Sequence, residues 1–243
     1  MPYIKETVFA GKTREIRKFY SCPGAGRRKG SFPQGKTTEA QARANQERAE
    51  RELRQLLNHN FSPGDYHAVL TYRRENRPDP KEARRQAERF LCRYRYWCRK
   101  RGLPAKYILV TEYKKTAIHH HIVLPNIGSR ALQGLWPLGR VMISPLDDSG
   151  QWRKLAAYLI KETSKSFSQP GRIYGKRWCA SRELEKPPRK RETIRARRWT
   201  EQPRPPKGWY LEKDSLYNGE DPVTGAYLQA YCLIRLDGPG KGG

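Results

Sequence analysis

Three consecutive histidines, His119, His120 and His121, sit in a segment that otherwise reads as a buried strand, Ile118 to Leu124. Side chains alternate faces along a strand, so His119 and His121 point one way and His120 the other. Two imidazoles about 7 Å apart on one face can converge on a single metal ion. Glu112 ends the preceding strand, Tyr107 to Glu112. A tight hairpin through Tyr113 to Ala117, with a polar turn at Lys114 and Lys115, would bring its carboxylate beside those imidazoles. Glu112, His119 and His121 then form a two-histidine, one-carboxylate site with open positions. Such a mixed N/O site suits a divalent metal ion, Mn2+ or Mg2+, acting as a Lewis acid in phosphoryl transfer. A lone His-x-His pair is more often accidental; the glutamate at hairpin distance sets this one apart.

Tyr158 and Lys161 are three residues apart in a segment with helical periodicity, which puts them on one face. Tyrosine is a poor base but a sound nucleophile once its proton is removed, and a phosphotyrosine diester keeps the energy of the DNA linkage it replaces. Lys161 could stabilise the phenolate or neutralise charge on the phosphate. The spacing alone is weak evidence, since Tyr and Lys one turn apart usually mean a half-buried ring and a snorkelling amine.

These residues need elements to hold them. The spacing of Ala42, Ala49, Leu53, Leu56 and Leu57 predicts a helix from Thr38, which has capping-box spacing with Gln41, to about Asn58. Tyr66 to Tyr72 reads as a strand. After Pro80 a second helix places Ala83, Ala87, Phe90, Leu91, Tyr94, Trp97 and Cys98 on one face, with Arg84, Arg85, Arg89, Arg93 and Lys100 largely on the other. It stops at Gly102 and Pro104. The two strands carrying Glu112 and the histidines follow, then a short strand at Val141 to Ile143. Asp147, Asp148 and Ser149 are good N-cap residues for a helix from Trp152 to Ser166. The order strand, helix, strand, strand, strand, helix predicts an α+β fold: one antiparallel sheet with helices packed on one face.

The flanks read differently. Residues 1–36 hold a strand around Thr7 to Ala10 and then a Gly-, Pro- and Lys/Arg-rich stretch, Pro23 to Lys36, which together read as a basic N-terminal arm. Residues 37–168 make the main domain. Residues 169–243 form a basic, Pro- and Arg-rich extension with a final strand at Ala226 to Leu236. Within it, Pro187 to Lys207 is equally well read as a DNA-tracking segment, a protein-recruiting one or a solvated charge run.

Fifty Lys and Arg against twenty-four Asp and Glu give a formal net charge of +26, spread along all 243 residues. That excess implies a polyanionic partner. Rings set among cations, as in Arg93, Tyr94, Arg95, Tyr96 and Trp97, suit unpaired strands, where bases stack and phosphates need counter-charge. Five cysteines, an odd number without a CxxC pair, read as reduced and mostly buried thiols. No signal peptide or membrane-spanning stretch is evident, so a cytoplasmic protein is expected. No GxxxxGK[ST] loop is present, which excludes a built-in P-loop ATPase.

The ordered set, VLTY (Val69 to Tyr72), Glu112 with His119-His120-His121, then Tyr158-Leu159-Ile160-Lys161, resembles the three motifs of the HUH endonucleases. It is most similar to their rolling-circle replication initiator (Rep) branch, in its single-tyrosine class. The stretch from Asn45 through Arg54, Asn58, Asn60 and Phe61, together with Arg177, Trp178, Ser181 and Arg182, is also similar to Rep-type proteins of small bacterial replicons and phages. The resemblance spans roughly residues 37–182.

It implies a ferredoxin-like (RRM-like) sheet, metal ligation by Glu112, His119 and His121, nucleophilic attack by Tyr158 and assistance by Lys161. His120 departs from the family, which usually has a bulky apolar residue there; strand alternation favours the outer pair as ligands. Arg73, Arg93, Arg95, Arg177 and Arg182 are the candidate DNA-binding residues. The expected partner is single-stranded or hairpin origin DNA, with a separate host helicase. Tyr174 lies beyond a Gln-Pro-Gly break, so a second strand transfer requires a second subunit, making a dimer, or a different nucleophile. The rival readings are a conjugative relaxase or single-tyrosine transposase, and a non-catalytic basic nucleic-acid-binding protein.

Overall fold

The structure, a computed structural model, describes residues 3–20, 39–112, 117–167, 177–196, 199–221 and 225–236. The chain runs through strands β1 (Tyr3–Ala10) and β2 (Thr13–Tyr20), helix α1 (Glu39–Asn60), β3 (Tyr66–Leu70), α2 (Pro80–Arg99), β4 (Ile108–Glu112), β5 (His119–Leu124), α3 (Ser129–Leu135), β6 (Val141–Pro145), α4 (Arg153–Phe167) and β7 (Cys179–Ala180). It ends with β8 (Arg189–Ile194), β9 (Trp209–Leu211), β10 (Tyr217–Glu220) and β11 (Tyr227–Arg235). These elements divide into two compact units, residues 49–186 and residues 1–48 with 187–243.

In the first unit the strand order is β6-β3-β5-β4-β7, and every neighbouring pair is antiparallel. The sequence β3-α2-β4-β5-α3-β6 is therefore a split βαβ arrangement of ferredoxin-like type, as expected. Its own helices, α2 and α3, share one face, where Ala68, Leu70, Leu109, Ile122 and Leu124 pack with Phe90, Tyr94, Leu132 and Trp136. The helices as a whole are not confined to that face. Ile108, Val110 and Val123 pack on the other with Leu53 and Leu57 of α1 and Ala156, Leu159 and Ile160 of α4. The reason lies in β4, buried at every position: a strand apolar on both faces needs cover on both.

Local chemistry sets the ends of α2. Pro80 opens it, and the Asp79 carboxylate accepts from the backbone N–H of Lys81 at 2.7 Å and of Glu82 at 3.0 Å, satisfying two donors left open by the helix start. Its predicted apolar face is buried at Ala83, Ala87, Phe90, Leu91, Tyr94 and Cys98. Helix α3 escapes the periodicity because it has seven residues and buries only Leu132. Asp147, expected to cap α4, instead accepts from the backbone N–H of Ser149 at 3.0 Å. Asn58 Oδ1 accepts from Trp152 N–H at 3.0 Å, and Trp152 carbonyl takes the first bond of α4, from Ala156 at 3.0 Å. The Thr38 capping box, the Lys114–Lys115 turn, Pro23 to Lys36 and Tyr174 lie outside the described residues.

The second unit is a six-stranded antiparallel sheet in the order β10-β11-β2-β1-β8, with β9 also on β11. The strands expected at Thr7 to Ala10 and Ala226 to Leu236 are present as β1 and β11. They belong to one sheet, because β2 pairs with both. The predicted arm and extension are thus two parts of a single folded unit, at least where described. Among the described cysteines, Cys98 and Cys232 are buried whereas Cys92 and Cys179 are exposed; Cys22 lies outside the described residues. Among the described residues no helix is long and apolar enough to cross a membrane.

Candidate metal centre

The β4–β5 register places Glu112 directly opposite His119 and Val110 opposite His121. Alternation then puts Glu112, His119 and His121 on the α1/α4 face of the sheet. Glu112 Oε2 lies 3.2 Å from His119 Nε2 and 3.8 Å from His121 Nε2. One donor atom from each residue falls within 4.8 Å of the others. Glu112 and His121 are buried.

The outer ring nitrogens are also placed. His119 Nδ1 sits 2.8 Å from the Ala117 carbonyl, to which it donates, and this fixes Nε2 as the lone-pair nitrogen facing Glu112. His121 Nδ1 is 3.2 Å from His67 Nε2, and the two rings stack at 5.4 Å with an interplanar angle of 15°. Burial pushes the His67 pKa down to about 4, so this ring is neutral at ordinary pH. Two imidazole nitrogens, each on a ring oriented by an outer partner, and one carboxylate oxygen are a donor set that can hold a metal ion.

His120 belongs to the opposite face. Its Nε2 is 2.8 Å from the Tyr72 hydroxyl and its Nδ1 2.8 Å from Thr111 Oγ1. It is fully buried and edge-on to Trp136 at 5.6 Å. Burial, with the charges of His119 and His121, lowers its pKa to about 3. A neutral imidazole with one nitrogen donating and one accepting satisfies both contacts. The bulky apolar position expected from the family is thus filled by a histidine whose polar atoms are internally matched.

Helix α4 carries Tyr158 over the metal face. Its ring is perpendicular to His121 at 5.3 Å and to His67 at 6.4 Å, and it is 43% exposed. Its helical neighbours Leu159 and Ile160 are buried and anchor the helix; Lys161, one turn on, is exposed.

The five arginines do not gather in one place. Arg73 follows β3 beyond Leu70, which is paired with His120, and so lies at the Glu112 end of the sheet. Arg177 precedes β7 on the same side, since Cys179 pairs with Leu109 and the chain before it runs toward Thr111. It is partly buried, which lowers its pKa. Arg182 leaves β7 toward the other end, where Ser181 N–H donates to the Tyr107 carbonyl at 3.0 Å. Arg93 and Arg95 are exposed on α2, which covers the face opposite the cluster. Sequence reasoning missed His67. Its signal was available in principle, because His67 and Val69 share a face and Val69 pairs with His121, but that register is not visible before strands are paired.

The antiparallel split βαβ sheet is consistent with the HUH/Rep fold, and its central hairpin carries an HUH-like Glu/His/His cluster. Residues 65–167, which hold both the sheet core and α4, match the family model for Replication-associated protein ORF2/G2P. No curated protein and no solved structure matches the chain significantly.

Proposed function

We propose that this chain is a rolling-circle replication initiator that nicks and rejoins single-stranded origin DNA through a tyrosine nucleophile. The observation that carries the reading is the placement of Tyr158 against His121, over the Glu112–His119–His121 cluster, within the segment that matches the replication family. A divalent ion held by Glu112, His119 and His121, Mn2+ or Mg2+, would supply Lewis-acid polarisation of the scissile phosphate.

The chain's own residues account for the rest. The Tyr158 phenol oxygen attacks phosphorus, the bond from phosphorus to the 3′ oxygen breaks, and the phenol proton is matched by one gained at that oxygen. The products are a 5′-phosphotyrosyl protein and a free 3′-OH that primes synthesis. Lys161 stabilises the phenolate as it forms. Rejoining reverses the exchange without ATP. The conserved bond energy leaves strand separation to a separate host helicase, and a second transfer to a second subunit or another nucleophile.

The test is incubation with labelled single-stranded origin DNA and Mn2+, followed by a denaturing gel. A slow-migrating adduct is expected from the wild type and none from Tyr158→Phe, which keeps its DNA affinity. An adduct from Tyr158→Phe sinks the assignment; tight binding by the wild type with no adduct favours a non-catalytic binding protein.

A further inference from the structure

The family match ends at residue 167 and leaves the β1–β2–β8–β11 sheet without a role. Its two faces differ in chemistry. One carries Val8, Ala10, Cys232 and Ile234, all buried, with the buried Glu6 carboxylate held by Arg191 at 2.8 Å. The register puts Tyr3, Lys5, Phe9, Arg14, Lys18 and Tyr20 of the β1–β2 hairpin on the other face, joined there by Tyr227 and Tyr231 of β11. These are only partly buried, and between them Thr7, Ile16, Gln229 and Leu233 of the same face are buried and form its floor.

On that face rings and cations interleave. Lys18 Nζ lies 5.2 Å from the Trp199 ring and 5.9 Å from Tyr231. Trp199 meets Tyr3 at 5.1 Å and Tyr227 at 5.3 Å, and Tyr3 meets Tyr20 at 5.6 Å. Four residues along β2, Arg14 lies 4.0 Å over Trp209 and 5.4 Å over Phe9. Burial and the neighbouring Lys5 lower the Lys18 pKa, as for a cation placed where counter-charge is scarce. The two clusters are roughly 13 Å apart along the strand, a separation that a bound strand of several nucleotides can bridge.

We infer that this half-open face is a second nucleic-acid site, which binds unpaired DNA by stacking bases on its Tyr and Trp rings while Lys18 and Arg14 meet the phosphates. Partly exposed rings alternating with cations are what sequence-tolerant single-strand binding requires, because every base has a stacking face and every linkage a charge. A duplex, whose bases are already stacked, offers it only charge. That the strand is DNA rests on the replication reading above; the stacking surface itself does not.

The experiment uses the full chain in EDTA, where cleavage is off, and a fluorescent sixteen-residue oligo(dT) as probe. Trp199→Ala is expected to weaken binding roughly tenfold, and Lys18→Gln to lower the slope of log affinity against log salt by about one. A same-length duplex should show no loss from Trp199→Ala. Thermal unfolding identifies a variant that fails to fold, and Lys18→Gln keeps the hydrogen-bonding position beside Gln229. Unchanged oligo(dT) affinity and salt slope in both variants overturn the inference. The same preparations are run in the Mn2+ adduct assay. Loss of oligo(dT) binding in the variants, with no adduct from the wild type, would defeat the nuclease reading and leave this one standing; adducts from the wild type with unaltered variant binding would do the reverse.

Discussion

At the scale of single residues, the candidate metal centre depends on which nitrogen each histidine presents. Glu112 and the two Nε2 atoms face one another, and Ala117 and His67 occupy the outer nitrogens. Replacing Glu112 by Gln removes the anionic donor while keeping size. Mn2+-dependent nicking is then expected to fall by ~100-fold or more, since Lewis-acid stabilisation is worth several kcal/mol, toward the level seen in EDTA, with DNA binding retained. Equal nicking in EDTA and Mn2+ by the wild type would remove the metal from the account. His67→Ala makes a subtler change, freeing His121 Nδ1 from its orienting partner. Loss of such an outer contact costs about 10–100-fold in metal affinity, measurable by Mn2+ titration of the protein without DNA. An unaltered affinity would mean that His67 only fills space.

At the scale of elements, Asp79 is the clearest case of a local determinant. Its carboxylate closes two backbone donors at the start of α2, so Asp79→Ala should destabilise the protein, read as a lowered midpoint in urea. The helix itself was legible because its apolar positions recur at helical spacing over twenty residues. Strands β4 and β5 were legible as apolar runs, and the triplet alternation in β5 separated His120 from its neighbours. Other elements left no such trace. β2 reads TREIRKFY, with charges on both faces, because Glu15 and Arg17 lie on the same face as Glu6 and Ala10 rather than in solvent alternation. β8 is mostly exposed and basic, so nothing in its composition marks it as a strand. Its pairing with β1 is decided by a partner more than 180 residues away, and local pattern carries no information about that. The site was readable where its geometry follows from one hairpin; His67 was not, because its place depends on how a third strand aligns.

For the whole molecule, charge dominates. A net charge of +26 should make single-strand binding strongly salt-dependent: with six to ten phosphates neutralised, affinity falls by about 10³–10⁵ between 50 and 200 mM salt. A titration series at fixed pH measures this, and a flat response would mean that the basic residues are spent on internal contacts. The distribution of candidate arginines refines the picture. Arg73 and Arg177 lie toward the Glu112 end of the sheet, whereas Arg93 and Arg95 project from α2 on the other face. Basic composition has no direction, so the sequence does not separate the five; only folding assigns each to a side.

The pairing of β2 with β11 also imposes an order in time. Residues 49–186 are complete as a contact unit before the ribosome has reached Arg189, whereas the N-terminal hairpin must wait for Tyr227–Arg235 before one of its edges is closed. Synthesis at about 5–20 residues per second makes the wait of β2 for β11 roughly 10–40 s. During it, β2 presents open backbone donors and acceptors to any other strand nearby. A nascent chain of this protein therefore exposes the β1–β2 hairpin throughout that wait, and misassembly between chains on one message would begin there.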